Sequence, residues 1–180
     1  NPSDVEFVYS GVSASWAEER CGVDSVAAAG VSTNIMMKQP CFWNLVKGHP
    51  VPMGNRTPAY VENVREHLIS PGQFYFDKNK KEVLYYALPG QKMESGKVEA
   101  ILAVEETLVK LDGAQNHNWA SVTFEFGTWL RPMQGPGYVE EQSGACDICP
   151  YGVQLQDGCG LHDSAVVTPG NVAVSAGQNI

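Results

Sequence analysis

The chain has 180 residues, a formal net charge of −8 and only 18% charged residues. That length suits one medium domain, or one domain with a small inserted module, and can bury a core without metals. The acidic balance leaves Lys78, Lys80 and Lys81 as the one dense basic patch and argues against nucleic-acid binding, while 18 Gly and 11 Pro argue against bundles and coiled coils.

In chain order, residues 5–10 (Val-Glu-Phe-Val-Tyr-Ser) read as a strand. Residues 13–20 suggest a turn of helix, Gly and Ser punctuate the next stretch, and a short strand is expected near 33–37. Residues 47–57 form a loop rich in Pro and Gly. A helix is expected over 58–68, because Thr57 suits a cap, Pro58 the first helical position, and Val61, Val64 and Leu68 one face. Residues 73–77 and 82–88 read as the strands of a hairpin, with the lysines in a solvated turn between them. Two more strands are expected over 97–103 and 106–111, then very short ones at 122–126, 152–155, 165–167 and 171–175. Many short strands with turn punctuation imply an all-β protein with one short helix, as a barrel, sandwich or solenoid.

No apolar run approaches the roughly 20 residues of a membrane span, and no phosphate-binding, dinucleotide or zinc-hydrolase motif is present, so no cofactor is expected. The five cysteines are Cys21, Cys41, Cys146, Cys149 and Cys159, an odd number for a complete disulfide framework. Cys146, Cys149, Cys159 and His162 have a spacing compatible with a structural zinc. In an oxidising compartment a disulfide among these cysteines, with Cys21 and Cys41 also paired, is the preferred reading and no metal is expected; zinc and free thiols stay open as alternatives. Nothing arranges His117 or His162 with a cysteine for nucleophilic catalysis. Asn55-Arg56-Thr57 is an N-glycosylation sequon. The strand-like opening, the closing segment and the unpaired cysteine give the expectation of a portion of a larger secreted protein.

Specific residues carry a resemblance. Residues 5–9 lead to Ser15-Trp16-Ala17-Glu18-Glu19-Arg20-Cys21 and then Met37-Lys38-Gln39-Pro40-Cys41. Pro71-Gly72-Gln73-Phe74-Tyr75-Phe76-Asp77 and Leu84-Tyr85-Tyr86-Ala87-Leu88-Pro89-Gly90 come next, and later 122–132 and 137–144. These segments resemble a family of secreted right-handed parallel β-helix proteins that carry a small β-rich insertion, with Phe74 in place of the usual Trp. Glycoside hydrolase family 141, acting on plant polysaccharides, is of this type. The resemblance implies the N-terminal coils of a right-handed parallel β-helix with an inserted antiparallel β module. It divides the chain into first coils (1–45), module (46–105) and continuing coils (106–180).

It further implies an extracellular protein that acts on or binds polysaccharide. Glycoside hydrolysis usually needs two carboxylates about 5 to 9.5 Å apart. The local candidates are Glu140 with Glu141 and Asp157 with Asp163; adjacent strand residues point to opposite faces, so Glu140 and Glu141 do not converge if they lie on a strand. The resemblance implies that the catalytic carboxylates come from different coils, so they are expected beyond Ile180. Trp129, Arg131 and Tyr138 are the candidate sugar-binding residues, since rings stack on sugars and an Arg grips hydroxyl or carboxylate groups. The alternative is a non-catalytic structural or adhesion protein whose partners are other chains of an extracellular assembly.

Overall fold

The computed structural model describes residues 1–10, 18–48, 57–131, 137–142, 145–146, 151 and 166–178. The chain divides into two compact units, the first made of Asn1–Val98 and Arg131–Val166, the second of Glu99–Leu130 and Val167–Ile180. The described secondary structure is mostly β with one short helix, in small sheets.

The first unit is built on a four-stranded sheet of order β3-β2-β1-β4. Its strands are β1 (Glu6–Ser10), β2 (Glu18–Ala29), β3 (Ser32–Met37) and β4 (Tyr60–Glu62). All three pairings are antiparallel. β2 does two jobs: residues 18–22 pair with β1, while residues from Val23 onward pair with β3 across a bulge at Val23/Ser25. This long strand was not expected, because Gly22, Ser25 and the Ala27–Ala29 run carry little strand propensity. Pairing with both neighbours imposes it. It also replaces the turn of helix expected over 13–20, of which only residues 18–20 are described, and those are strand.

The period of 2 in β1 and β2 sorts their residues onto two faces. Tyr9, Cys21, Val23, Met37, Cys41, Leu45 and Val139 form the buried core, with Val5, Phe7, Phe42 and Val46 against it. A disulfide joins Cys21 on β2 to Cys41 at the start of α1 (Cys41–Trp43), which continues in π geometry over Asn44–Gly48. This is the one short helix. Gly137 lies against it with φ +80, where a Cβ would sit 2.5 Å from Cys41 Sγ, so only glycine fits.

The helix expected over 58–68 does not form. Tyr60–Glu62 is β4, bonded along the edge of β1, and Arg65–His67 is a single 3₁₀ turn. Between them Asn63 has φ 55, outside the right-handed helical region. The 3.6-residue pattern was present, but the open edge of β1 and the bonds of Asn63 outweigh it. The hairpin does form, from β5 (Phe74–Asp77) and β6 (Glu82–Tyr85), with Phe74 opposite Tyr85 and Phe76 opposite Val83. A further sheet of order β10-β9-β8 joins Val166–Val167, Ala145–Cys146 and Glu140–Gln142.

The second unit contains β7 (Val109–Asp112) and β11 (Val172–Ser175), paired parallel. Parallel pairing resumes at Gln115 and Gln178, at the same 63-position offset as Val109 and Val172. Leu108 N donates to Asn171 O and Thr128 N to Glu105 O, the latter pair 23 positions apart. The strands expected at 97–103 and 122–126 are absent: those residues find no ladder, and Phe126 at φ 62 breaks the extended run. The segment 152–155 lies outside the described residues.

Candidate functional site

On the face of β1 opposite the core, two polar clusters are described. The first ties the hairpin to the start of the chain. Asp4 is fully buried. Its Oδ2 accepts a 2.5 Å bond from the Tyr75 hydroxyl, and its Oδ1 accepts from Lys78 N at 3.3 Å. Lys78 Nζ reaches Glu6 Oε1 at 2.8 Å, which pairs the charge of a carboxylate that is only 5% exposed. Asn63 clamps the same place: its Nδ2 donates to Asp4 O and Phe76 O, and its Oδ1 accepts from Phe76 N. The bond to Asp4, together with burial and the nearby carboxylate charges, pushes the Tyr75 phenol up to about 12. The Tyr9 phenol, on the core face, rises to about 12 through burial.

The second cluster centres on Arg20. Its Nη2 bonds Glu18 Oε1 at 2.6 Å and its Nη1 bonds Glu62 Oε2, while the Tyr60 hydroxyl donates to Glu18 Oε2 at 3.2 Å. Sheet register explains the set, since Val8 of β1 lies between Arg20 and Tyr60 in the ladder. Burial opposes the Arg20 charge, but the hydrogen bonds and charges of Glu18 and Glu62 outweigh it and raise the guanidinium above its ordinary range. This cluster unites two carboxylates, yet glycoside hydrolysis needs one of them to carry a proton it can donate. Both carboxylates here are bonded by Arg20, so the cluster reads as a cross-strand brace.

The residues singled out from sequence are dispersed. Trp129 belongs to the second unit, whereas Arg131 and Tyr138 belong to the first. All three are half-buried. Tyr138 bonds through its backbone to Arg20, N to O in both directions, continuing the sheet beyond β2. Glu140 and Glu141 lie on β8. Asn55, Cys149, Asp157, Cys159, His162 and Asp163 lie outside the described residues, as does the side chain of Cys146. Cys21 and Cys41 form the disulfide. Among the described residues no group of three His, Cys, Asp or Glu could hold a metal, and no helix is long and apolar enough to cross a membrane.

Sequence reasoning missed both polar clusters. Their signal was alternation: Glu18 and Arg20 share one face of a strand, as do Tyr60 and Glu62. For the Arg20 cluster it becomes readable only once Tyr60–Glu62 is known to be strand rather than helix.

No family model matches the chain, and no curated protein matches it in sequence. A solved structure described as a glycoside hydrolase is similar to it, with a TM-score of 0.62 and 25% identity over 81% of this chain. The chain spans 25% of the length of that structure. The similarity supports a glycoside hydrolase-like fold.

Proposed function

We propose that the chain is part of a secreted β-helical glycoside hydrolase-like protein that acts on or binds polysaccharide, with the catalytic carboxylates lying outside these residues. The observation that carries this reading is the likeness to a glycoside hydrolase across 81% of the chain. Because the chain matches only a quarter of that structure, there is ample room for a catalytic pair elsewhere. The carboxylates gathered among the described residues are engaged, Glu18 and Glu62 by Arg20, Glu6 by Lys78 and Asp4 by Tyr75 and Lys78 N.

The β-helix part of the reading draws support from the second unit. In a solenoid, successive coils stack on their neighbours in parallel. The Glu105–Thr128 bond spans 23 positions, the length of one coil, and the offset of 63 between β7 and β11 stays constant through Gln115 and Gln178. In this reading residues 1–45 supply the first coils, 46–105 the inserted module and 106–180 the continuing coils. The Cys21–Cys41 disulfide suits an oxidising compartment, where Asn55 would carry a glycan, and Trp129, Arg131 and Tyr138 contribute to sugar contact.

The test is release of reducing sugar by the full-length protein from a panel of plant and algal polysaccharides. Hydrolysis of at least one supports the reading. A well-folded sample that releases nothing from any of them overturns it in favour of a non-catalytic scaffold of an extracellular assembly.

A further inference from the structure

We propose that the outward face of the β5–β6 hairpin is a binding platform for an acidic glycan, a polysaccharide chain containing uronic acid units. The proposal rests on the carbohydrate-related reading above and assigns it a surface and a ligand class. Register puts Phe74 directly opposite Tyr85 and Phe76 opposite Val83, so these four residues share one face. Phe74 is 68% exposed and Tyr85 36% exposed. The other face carries Tyr75, which is buried on Asp4.

The platform is fixed. Behind it, Tyr75, Asn63 and Lys78 anchor the hairpin to Asp4 and Glu6. In front, the Tyr85 hydroxyl donates to Gln91 Oε1 at 3.1 Å, and the same oxygen accepts from Leu88 N at 3.0 Å. A ring held in this way loses little freedom when a sugar stacks on it, which favours binding. The faces of such rings suit the apolar faces of pyranose rings.

Charge selects the sugar class. In a chain of net charge −8, the hairpin tip holds Lys78, Lys80 and Lys81 against Asp77 and Glu82. Lys78 is committed to Glu6, and Asp77 Oδ1 accepts from the backbone of Asn79 and Lys80. Lys80 Nζ pairs with Asp77 Oδ2 at 4.0 Å yet its side chain stays exposed, and Lys81 makes no ion pair among the described residues. The tip thus presents two exposed lysines, Lys80 paired with Asp77 at the surface and Lys81, at one end of an aromatic strip. Three strand steps separate Phe74 from Asp77, about 10 Å, the reach of a short oligosaccharide. A chain stacked on Phe74 and Tyr85 can place a carboxylate at Lys80 and Lys81, whereas acidic polymers are repelled from the rest of the surface.

The experiment measures binding of the full-length protein to oligogalacturonate and to a neutral xylo-oligosaccharide of equal length, by calorimetry at low and high salt. The expected result is preference for the uronate, weakened by salt. Phe74→Ala and Tyr85→Ala should each weaken binding of the uronate by about tenfold. The double change Lys80→Gln with Lys81→Gln should remove the preference while leaving stacking on the neutral sugar. All of these positions are exposed, so unchanged circular dichroism is expected and checks the fold. Uronate binding equal to wild type in the Phe74 and Tyr85 variants overturns the proposal, as does wild-type protein that binds neither sugar. So does sedimentation showing that the same residues instead mediate self-association. Polysaccharide hydrolysis that persists while these variants bind as wild type sinks the platform and leaves the hydrolase reading standing. Hairpin-dependent uronate binding without hydrolysis does the reverse.

Discussion

Asp4 lies four residues into the chain, and its carboxylate is buried to 0% exposure. It is tolerated there because Tyr75 Oη and Lys78 N satisfy its two oxygens. Tyr75→Phe deletes one partner and leaves a buried acceptor short, so it should cost about 1–3 kcal/mol of stability, read from urea unfolding midpoints. The pH dependence is set by the sign of the shift. Tyr75 and Tyr9 titrate near 12 in the fold, against 10.0 for an ordinary phenol. The neutral forms are therefore favoured by folding. Their contribution is complete below about pH 10 and is lost as pH climbs through about 12. Urea midpoints should fall across that window, and Tyr75→Phe should make the fall shallower. An equal slope in the variant would remove Tyr75 from the account. Gly137→Ala tests a different kind of residue constraint. A Cβ there meets Cys41 Sγ, and φ is +80, so a loss of about 1–3 kcal/mol is expected.

Among the elements, β4 shows most clearly how an edge captures a segment. The helical pattern of Val61, Val64 and Leu68 competes with an unpaired edge of β1 that offers backbone partners to three residues. Asn63 then ends the strand in the left-handed region and spends its whole side chain on Asp4 and Phe76. Asn63→Gly keeps the backbone conformation but drops the bonds, while Asn63→Ala drops both. We expect Gly to cost about 1–3 kcal/mol and Ala more, a ranking that thermal melts resolve. The disulfide between β2 and α1 closes a loop with a sequence separation of 20. Replacing both Cys21 and Cys41 by Ala should cost about 2–4 kcal/mol, measured by the same melts. The hairpin was legible because its two strands carry strong β formers on either side of a polar turn. The strand β2 was not, because nothing local demands it.

For the whole molecule, the two units differ in what they bury. All the buried hydrophobic residues described, from Val8 to Val139, belong to the first unit. In the second, Ile101, Leu102, Val104, Val122, Phe126, Val172 and Val174 are exposed. Local opening free energy tracks buried apolar contact, so hydrogen exchange should separate the units. Amides of β1 and of residues 18–22 in β2 should exchange at least about tenfold more slowly than those of β7 and β11. Equal protection would contradict this.

The sequence by itself determined the all-β class, the hairpin and the strands β1, β3 and β11, and it favoured a pairing of Cys21 with Cys41 that the structure then showed. Each depends on local alternation, turn chemistry or a resemblance carried by contiguous residues. It also pointed to a carbohydrate-related protein, through the residues around the hairpin. Only the tertiary structure decided that 60–62 is a strand, that β2 spans twelve residues, and that Asp4, Glu6, Asn63, Tyr75 and Lys78 meet. It likewise decided that Glu18 and Glu62 are braced by Arg20, and that the aromatic faces of the hairpin divide into one buried and one exposed. Apart from β2, whose partners β1 and β3 are its neighbours in sequence, these outcomes are set by pairings between residues 40 or more positions apart, such as Arg20 with Glu62, Tyr75 with Asp4 and Lys78 with Glu6. Such pairings depend on which edges and faces remain open after the local elements form, and no window of sequence contains that information.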